Sequence, residues 1–327
     1  MYHSAIASRL ASAFSRQSEF SIRIKSPPSR FAITQGPLAS GLESALTVLH
    51  SSNGLMLCTT SFYYSYVVCN LTTQKFMVLP KLALVSKWYH RSRYYCLIYH
   101  PKKSPYYKVV VASFSFDSDT SQFDVYSSES GSWKSTVAST PRIPNPWLVY
   151  RAVWNGAILW MSCRPGTQSC SEHDHFYVQF DIDAERPTTT GVPSTGYHLN
   201  GILYFGECGG HLLLIQFPCH NATEFRVLEM MDRENKFQWT VKYRVGLQPL
   251  TSPQRSTCRF LVISVMNVGA NEDDLAVVLY VPRKVIQYNI KCKTLKVLCD
   301  LAGSDFSTCV PRPSMHSYRF IESLMPV

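Results

Sequence analysis

The chain has 327 residues and a formal net charge of +10, yet only 17% of its residues are charged, while 46% are hydrophobic and 13% aromatic. That balance excludes a disordered tail, which needs few apolar residues and many charges; 15 Gly and 19 Pro without a short period exclude a collagen-like chain. Apolar runs such as Phe260–Val265 fall far short of the ~20 residues of a spanning helix, so a globular chain with no membrane partner is predicted.

Residues 1–30 hold eight Ser and the cations Arg9, Arg16, Arg23, Lys25 and Arg30 against Glu19, with Ile6, Leu10 and Phe14 at helical spacing. No long apolar core marks a secretory signal, although a transit peptide looks much like this segment. The reading is a basic leader over 1–30 followed by one domain over 31–327. The expected location is cytoplasm or nucleus, with organelle import through 1–30 as the alternative. The eleven scattered cysteines form no C-x-x-C pair and read as small buried hydrophobes of a reducing compartment. The sequons at Asn70 and Asn221 are then incidental.

Beyond residue 40 the sequence reads as short β-rich runs separated by Gly, Asn, Ser and Pro clusters. Three Asn-Gly pairs, Asn53-Gly54, Asn155-Gly156 and Asn200-Gly201, each read as a tight turn feeding a buried strand. A second pattern is strand, polar turn, strand: Tyr66–Asn70 to Lys75–Leu79, and Phe123–Tyr126 to Gly131–Trp133. It continues with Tyr177–Asp183, with Phe225–Met230 to Phe237–Trp239, and with Val285–Asn289 to Leu295–Leu298. Its markers Asn70, Tyr126, Asp181, Glu229 and Asn289 recur every 48 to 60 residues. A repeat of about 50 residues holding several strands fits a β-propeller blade of kelch-like length. One blade cannot bury both faces alone, so blades stack. The predicted fold is all-β, a propeller of about six four-stranded blades (five to seven), closed by joining N- and C-terminal strands from residues 31–45 and 306–327.

The segments Ser51–Cys58, Cys69–Thr73, Val78–Pro80, Ser104–Val110 and Val125–Trp133 have a familiar order, continued by Trp154–Ile158, Tyr204–Leu212, Trp239–Val245, Lys284–Asn289 and Phe320–Leu324. On these the chain resembles the associated β-propeller domain of plant F-box proteins. The resemblance implies a non-enzymatic protein-binding module, the substrate receptor of a Skp–cullin–F-box ubiquitin ligase. Its implied partners are an unidentified target protein and, for the family, a Skp-type adaptor and a cullin. The family also carries an F-box ahead of the propeller, with a Leu-Pro start and a Leu-rich helical pattern; residues 1–44 show neither. The expectation is therefore target binding without ligase coupling. The alternatives are a truncated inactive product, or a propeller enzyme or nucleic-acid-binding protein using residues 1–103.

Residues 1–103 carry twelve Lys/Arg against Glu19 and Glu43, while 104–327 are balanced. Between Lys87 and Lys103, cations alternate with Trp88, Tyr89, Tyr94, Tyr95 and Tyr99, a mixture that in other settings binds single strands by phosphate contact and stacking. Without a nucleic-acid fingerprint the reading is a loop entering a Tyr-rich strand. Cys163, Cys170, Glu172, His173, Asp174 and His175 include proper zinc ligands but read as a polar hairpin loop of the third blade. His211, after Gly209-Gly210, reads as the start of a strand with its hydrogen bonds satisfied. Glu272, Asp273 and Asp274 read as a solvated hairpin tip. No nucleophile elbow or phosphate-binding loop occurs. No catalytic, cofactor-binding or metal residue is assigned, no cofactor is expected, and the target-binding residues are unknown.

Overall fold

The computed structural model describes residues 30–34, 47–59, 65–82, 91–143, 149–163, 175–191, 202–216, 224–233, 236–246, 260–269, 271, 274–281, 284–300, 316–320 and 327. Every element among them is a strand. Two compact units result.

The first unit contains two blades. One is β2 (Thr47–Ser52), β3 (Leu55–Thr59), β4 (Tyr66–Asn70) and β5 (Lys75–Val78); the other is β6 (Arg91–Tyr99), β7 (Tyr107–Ser115), β8 (Thr120–Ser127) and β9 (Ser132–Ser139). The same unit holds a two-stranded ladder of β1 (Arg30–Thr34) and β22 (His316–Phe320), antiparallel with Arg30 opposite Phe320. The second unit stacks three blades. They are β10 (Tyr150–Trp154), β11 (Ala157–Cys163), β12 (His175–Asp181) and β13 (Arg186–Gly191); β14 (Ile202–Cys208), β15 (His211–Gln216), β16 (Glu224–Arg233) and β17 (Lys236–Gly246); and β18 (Leu261–Asn267), β19 (Leu275–Val281), β20 (Lys284–Asn289) and β21 (Thr294–Asp300). Within each blade all pairings are antiparallel between successive strands, which defines an all-β fold of the β-propeller class with five four-stranded blades. Where about six blades were expected, the sixth sheet among the described residues is the β1–β22 ladder, formed by the terminal strands whose joining the sequence suggested.

Burial explains why the strands look different. The second and third strands are covered on both faces, and β3 and β4 are buried throughout. The fourth strands are the exposed edges, as in β9 and β13. In β15 the run Leu212–Ile215 has no polar alternation because both faces pack: Leu212 and Leu214 join Leu159 and Met161 of the preceding blade, while Leu213 and Ile215 join Val277 and Leu279 of the following one. Such runs are the mark of a strand buried on both sides.

The first strands of neighbouring blades within a unit run beside each other, and their free edges are satisfied by side chains. Leu97 N–H donates to His50 Nδ1 at 3.0 Å. Tyr99 N–H donates to Ser52 Oγ at 3.2 Å, and Asn53 Nδ2 donates to Tyr99 O at 2.6 Å. In the second unit Tyr150 O–H donates to Ile202 O and Trp154 Nε1 to Gly210 O. An unpaired strand edge is thereby given partners.

All five repeat markers fall on third strands: Asn70 on β4, Tyr126 on β8, Asp181 on β12, Glu229 on β16 and Asn289 on β20. Three of them build the following turn. Asn70 Oδ1 accepts from Thr72 and Thr73 N–H, Asp181 Oδ1 from Asp183 and Ala184, and Asn289 Oδ1 from Cys292. The Asn70 carboxamide of the first sequon is thus buried and committed. In four of the blades the last residue of the turn between third and fourth strands is left-handed: Gln74, Gly131, Glu185 and Lys293 have φ of 56°, 66°, 52° and 55°. Asn53-Gly54 and Asn155-Gly156 are positive-φ turns between first and second strands, as read. Asn200-Gly201 lies outside the described residues; in its blade that turn is Gly209-Gly210, because β14 starts only at Ile202.

A left-handed conformation strains a side chain with a Cβ, whereas glycine adopts it freely. Gln74→Gly and Lys293→Gly are therefore each expected to raise stability by about 0.5–1 kcal/mol. Gly131→Ala, where an added Cβ meets nothing within 4 Å, should lower it by about 1 kcal/mol through backbone strain alone. Denaturant midpoints at constant slope read all three.

Candidate functional site

Strand direction sorts the connections of every blade. The turns between first and second strands and between third and fourth leave one end; residues 53–54, 155–156 and 209–210 are examples of the first kind, and 71–74, 128–131 and 182–185 of the second. The links between second and third strands, and those leading into the next blade, leave the other end. Those are mostly longer, as with 164–174, 192–201 and 247–260. Sequence variation that leaves the repeat intact can accumulate there, which is where a scaffold carries recognition.

The sequence-selected residues separate on this frame. Cys163 ends β11 and His175 opens β12 as partners in one ladder, so the Cys163–His175 segment does join two strands of the third blade. Cys170, Glu172, His173 and Asp174 lie outside the described residues. Among the described residues no group of three or more His, Cys, Asp or Glu gathers to hold a metal. Asp274 sits in the β18–β19 turn and accepts from Lys291 Nζ at 2.8 Å; that bond holds the ammonium above the usual lysine range. Glu272 and Asp273 are outside the described residues.

His211 opens β15, as read, but its partners were not foreseen. Its Nδ1 meets Glu229 Oε1, and the second carboxylate oxygen of Glu229 takes Lys242 Nζ at 2.8 Å. Glu229 and Lys242 are 9% and 15% exposed in their side chains, so this is a largely buried charge pair across β16 and β17 with an imidazole at its rim. Nothing at the sequence level links positions 211, 229 and 242; only the antiparallel register does.

The tyrosines of the basic segment are mostly structural. Tyr95 and Tyr99 are buried, and Tyr94 packs on Phe114 at 5.6 Å. Burial pushes the Tyr94 phenol above its ordinary range. Trp88 and Tyr89 lie outside the described residues. Cys58 and Cys69 are free thiols 3.9 Å apart in the core. The hydrogen bond with Cys69, then burial, pushes the Cys58 thiol up, so it is protonated and a poor nucleophile or metal ligand. In the first strands, the His, Asp and Glu among the described side chains are His50 and Glu207. Each accepts a backbone N–H, His50 from Leu97 and Glu207 from Gly210 at 2.6 Å.

The fold and its repeat define a β-propeller whose longer connections mostly leave one end of each blade. The chain belongs to the family of F-box associated beta propeller domains, whose model matches residues 6–326. A relative is an F-box protein of Arabidopsis thaliana, At5g07610, 28% identical over 310 residues that cover 85% of this chain and 68% of that protein. Among solved structures the chain is similar to a prolyl endopeptidase, at 14% identity and a TM-score of 0.41, covering 90% of this chain and 40% of that one. It is also similar to the WD40 domain of SCAP from fission yeast, at 14% identity and a TM-score of 0.38, covering 82% and 54%.

Removing one member of a buried charge pair strands the other in a poor dielectric. Lys242→Met is thus expected to cost about 2–4 kcal/mol, and Glu229→Leu with Lys242→Met together to recover at least half of that. A double-mutant cycle on urea unfolding measures the coupling.

Proposed function

We propose that this chain is the target-recognition part of an F-box protein, a non-enzymatic module that holds one protein target at the end of its blades where the long connections leave. The observation that carries the reading is membership of the F-box associated propeller family over residues 6–326. The blade geometry supports it: a rigid repeat supplies buried strands, and the variable links 164–174, 192–201 and 247–260 leave one end of the second unit's blades. The polar side chains of the first strands support a non-catalytic role, since His50 and Glu207 are committed to backbone hydrogen bonds. In the ligase context of the family, a bound target is passed to ubiquitin transfer through a Skp-type adaptor and a cullin. The free cysteines of the core fit cytoplasm or nucleus.

Affinity capture from a plant extract, quantified by mass spectrometry, tests this. The tagged chain should retain a protein in near-stoichiometric amount and lose it when 164–174 or 192–201 is replaced by a Gly-Ser linker. Capture indifferent to replacement of every long connection overturns the assignment of the binding end.

A further inference from the structure

Two blades depart from the two-residue turn between first and second strands, one through residues 268–274 between β18 and β19 and the other through residues 100–106 between β6 and β7. Where three blades have Asn53-Gly54, Asn155-Gly156 and Gly209-Gly210, the β6–β7 connection is His100-Pro101-Lys102-Lys103-Ser104-Pro105-Tyr106. The insertion is braced at both ends. Lys103 and Ser104 N–H donate to His100 O at 2.8 and 3.0 Å, and Tyr106 N–H donates to Ser104 Oγ at 3.1 Å. Tyr107 N–H donates to Ser128 Oγ at 2.8 Å and Ser128 N–H returns to Tyr107 O at 3.0 Å, which ties the turn to its neighbour. What it presents to solvent is His100, Lys102, Lys103, Pro105 and Tyr106, the last 48% exposed.

Among the described residues no carboxylate pairs with Lys102 or Lys103, whereas Lys242, Arg244 and Lys291 of the second unit have Glu229, Glu224 and Asp274. The described side chains of the first unit hold seven Lys/Arg against Asp124 and Glu129. Asp124 is buried and accepts from Gln122 and Ser135, so it offers nothing at the surface. Two adjacent ammoniums on a preorganised turn attract negative charge and lose little entropy on binding it.

We infer that the His100–Tyr106 turn docks an acidic peptide segment, with Lys102 and Lys103 on its carboxylates and the Tyr106 ring against an apolar side chain beside them. A single strand of nucleic acid fits less well, since it needs a row of stacking rings. Here Tyr95 and Tyr99 are buried and Tyr94 is packed on Phe114, which leaves Tyr106 as the exposed ring of the turn. This inference goes beyond the target-binding end proposed above, because the turn leaves the opposite end of its blade.

The test is fluorescence anisotropy of the full chain with a labelled ten-residue Asp/Glu-rich peptide containing one Leu. The wild type should bind it and not a Lys-rich peptide of equal length, with affinity falling steeply as salt rises. Lys102→Glu with Lys103→Glu should weaken binding about tenfold or more, and the neutral pair Lys102→Gln with Lys103→Gln by a smaller factor. Lys134→Glu, on the exposed strand β9, should leave it unchanged. Three results overturn the inference: equal binding of the Lys-rich peptide, unchanged affinity in the double reversal, or tighter binding of a ten-nucleotide RNA. Unfolding midpoints of each variant confirm that a loss is local. Target capture that survives the double reversal leaves the recognition reading standing whatever the peptide does, so the two fail separately.

Discussion

A four-stranded antiparallel blade has two apolar faces and can cover neither by itself. Everything else follows from that constraint. Leu212 and Leu214 look one way and Leu213 and Ile215 the other, so deleting a neighbour would expose half of the apolar area of β15. At roughly 25 cal/mol per Å² of apolar surface, such exposure is not sustainable for an isolated blade. Aromatic side chains extend the contact to the outer strands. Trp133 of β9 packs on Tyr66 of the preceding blade with ring centres 6.0 Å apart, and its indole N–H donates to Pro80 O at 2.8 Å. In the second unit Phe205 stacks on Tyr177 of the preceding blade and meets Trp239 of its own.

Stacking covers the faces but leaves the strand edges. At the first strands the solution is side chain to backbone: His50, Ser52 and Asn53 serve β6, and Tyr150 serves β14. At the fourth strands it is exposure to water, with Lys, Ser and Thr on β9 and β13. Polar residues that invite a catalytic reading when isolated in sequence are consumed by these duties. His50 and Glu207 hold backbone groups, and His211 sits on a carboxylate that a lysine already shares. The polar groups of the stacked core are thus committed to holding the fold together.

The repeat was legible because its signals are local. Asn70, Asp181 and Asn289 end third strands by accepting the N–H groups of the turn that follows, an interaction between near neighbours in sequence. Asn53-Gly54 and Asn155-Gly156 likewise carry their positive φ in the residue pair itself. Asn200-Gly201 lies outside the described residues, directly before β14, and its blade makes the turn between first and second strands with Gly209-Gly210. The Tyr-rich basic segment could not be sorted by composition. The alternation that places Tyr95, Leu97 and Tyr99 together in the core depends on which face of β6 meets the neighbouring blade.

The sequence by itself determined the class of fold, the spacing of the blades and the family, since strand patterning and turn chemistry act over a few residues and survive in any context. Tertiary structure alone decided which polar groups are free. The joining of His211, Glu229 and Lys242 is a matter of register between three strands, and the absence of an ion pair at Lys102 and Lys103 among the described residues is a matter of which carboxylates reach them. Both are long-range facts: partners separated by tens of residues meet only when stacking fixes the sheets.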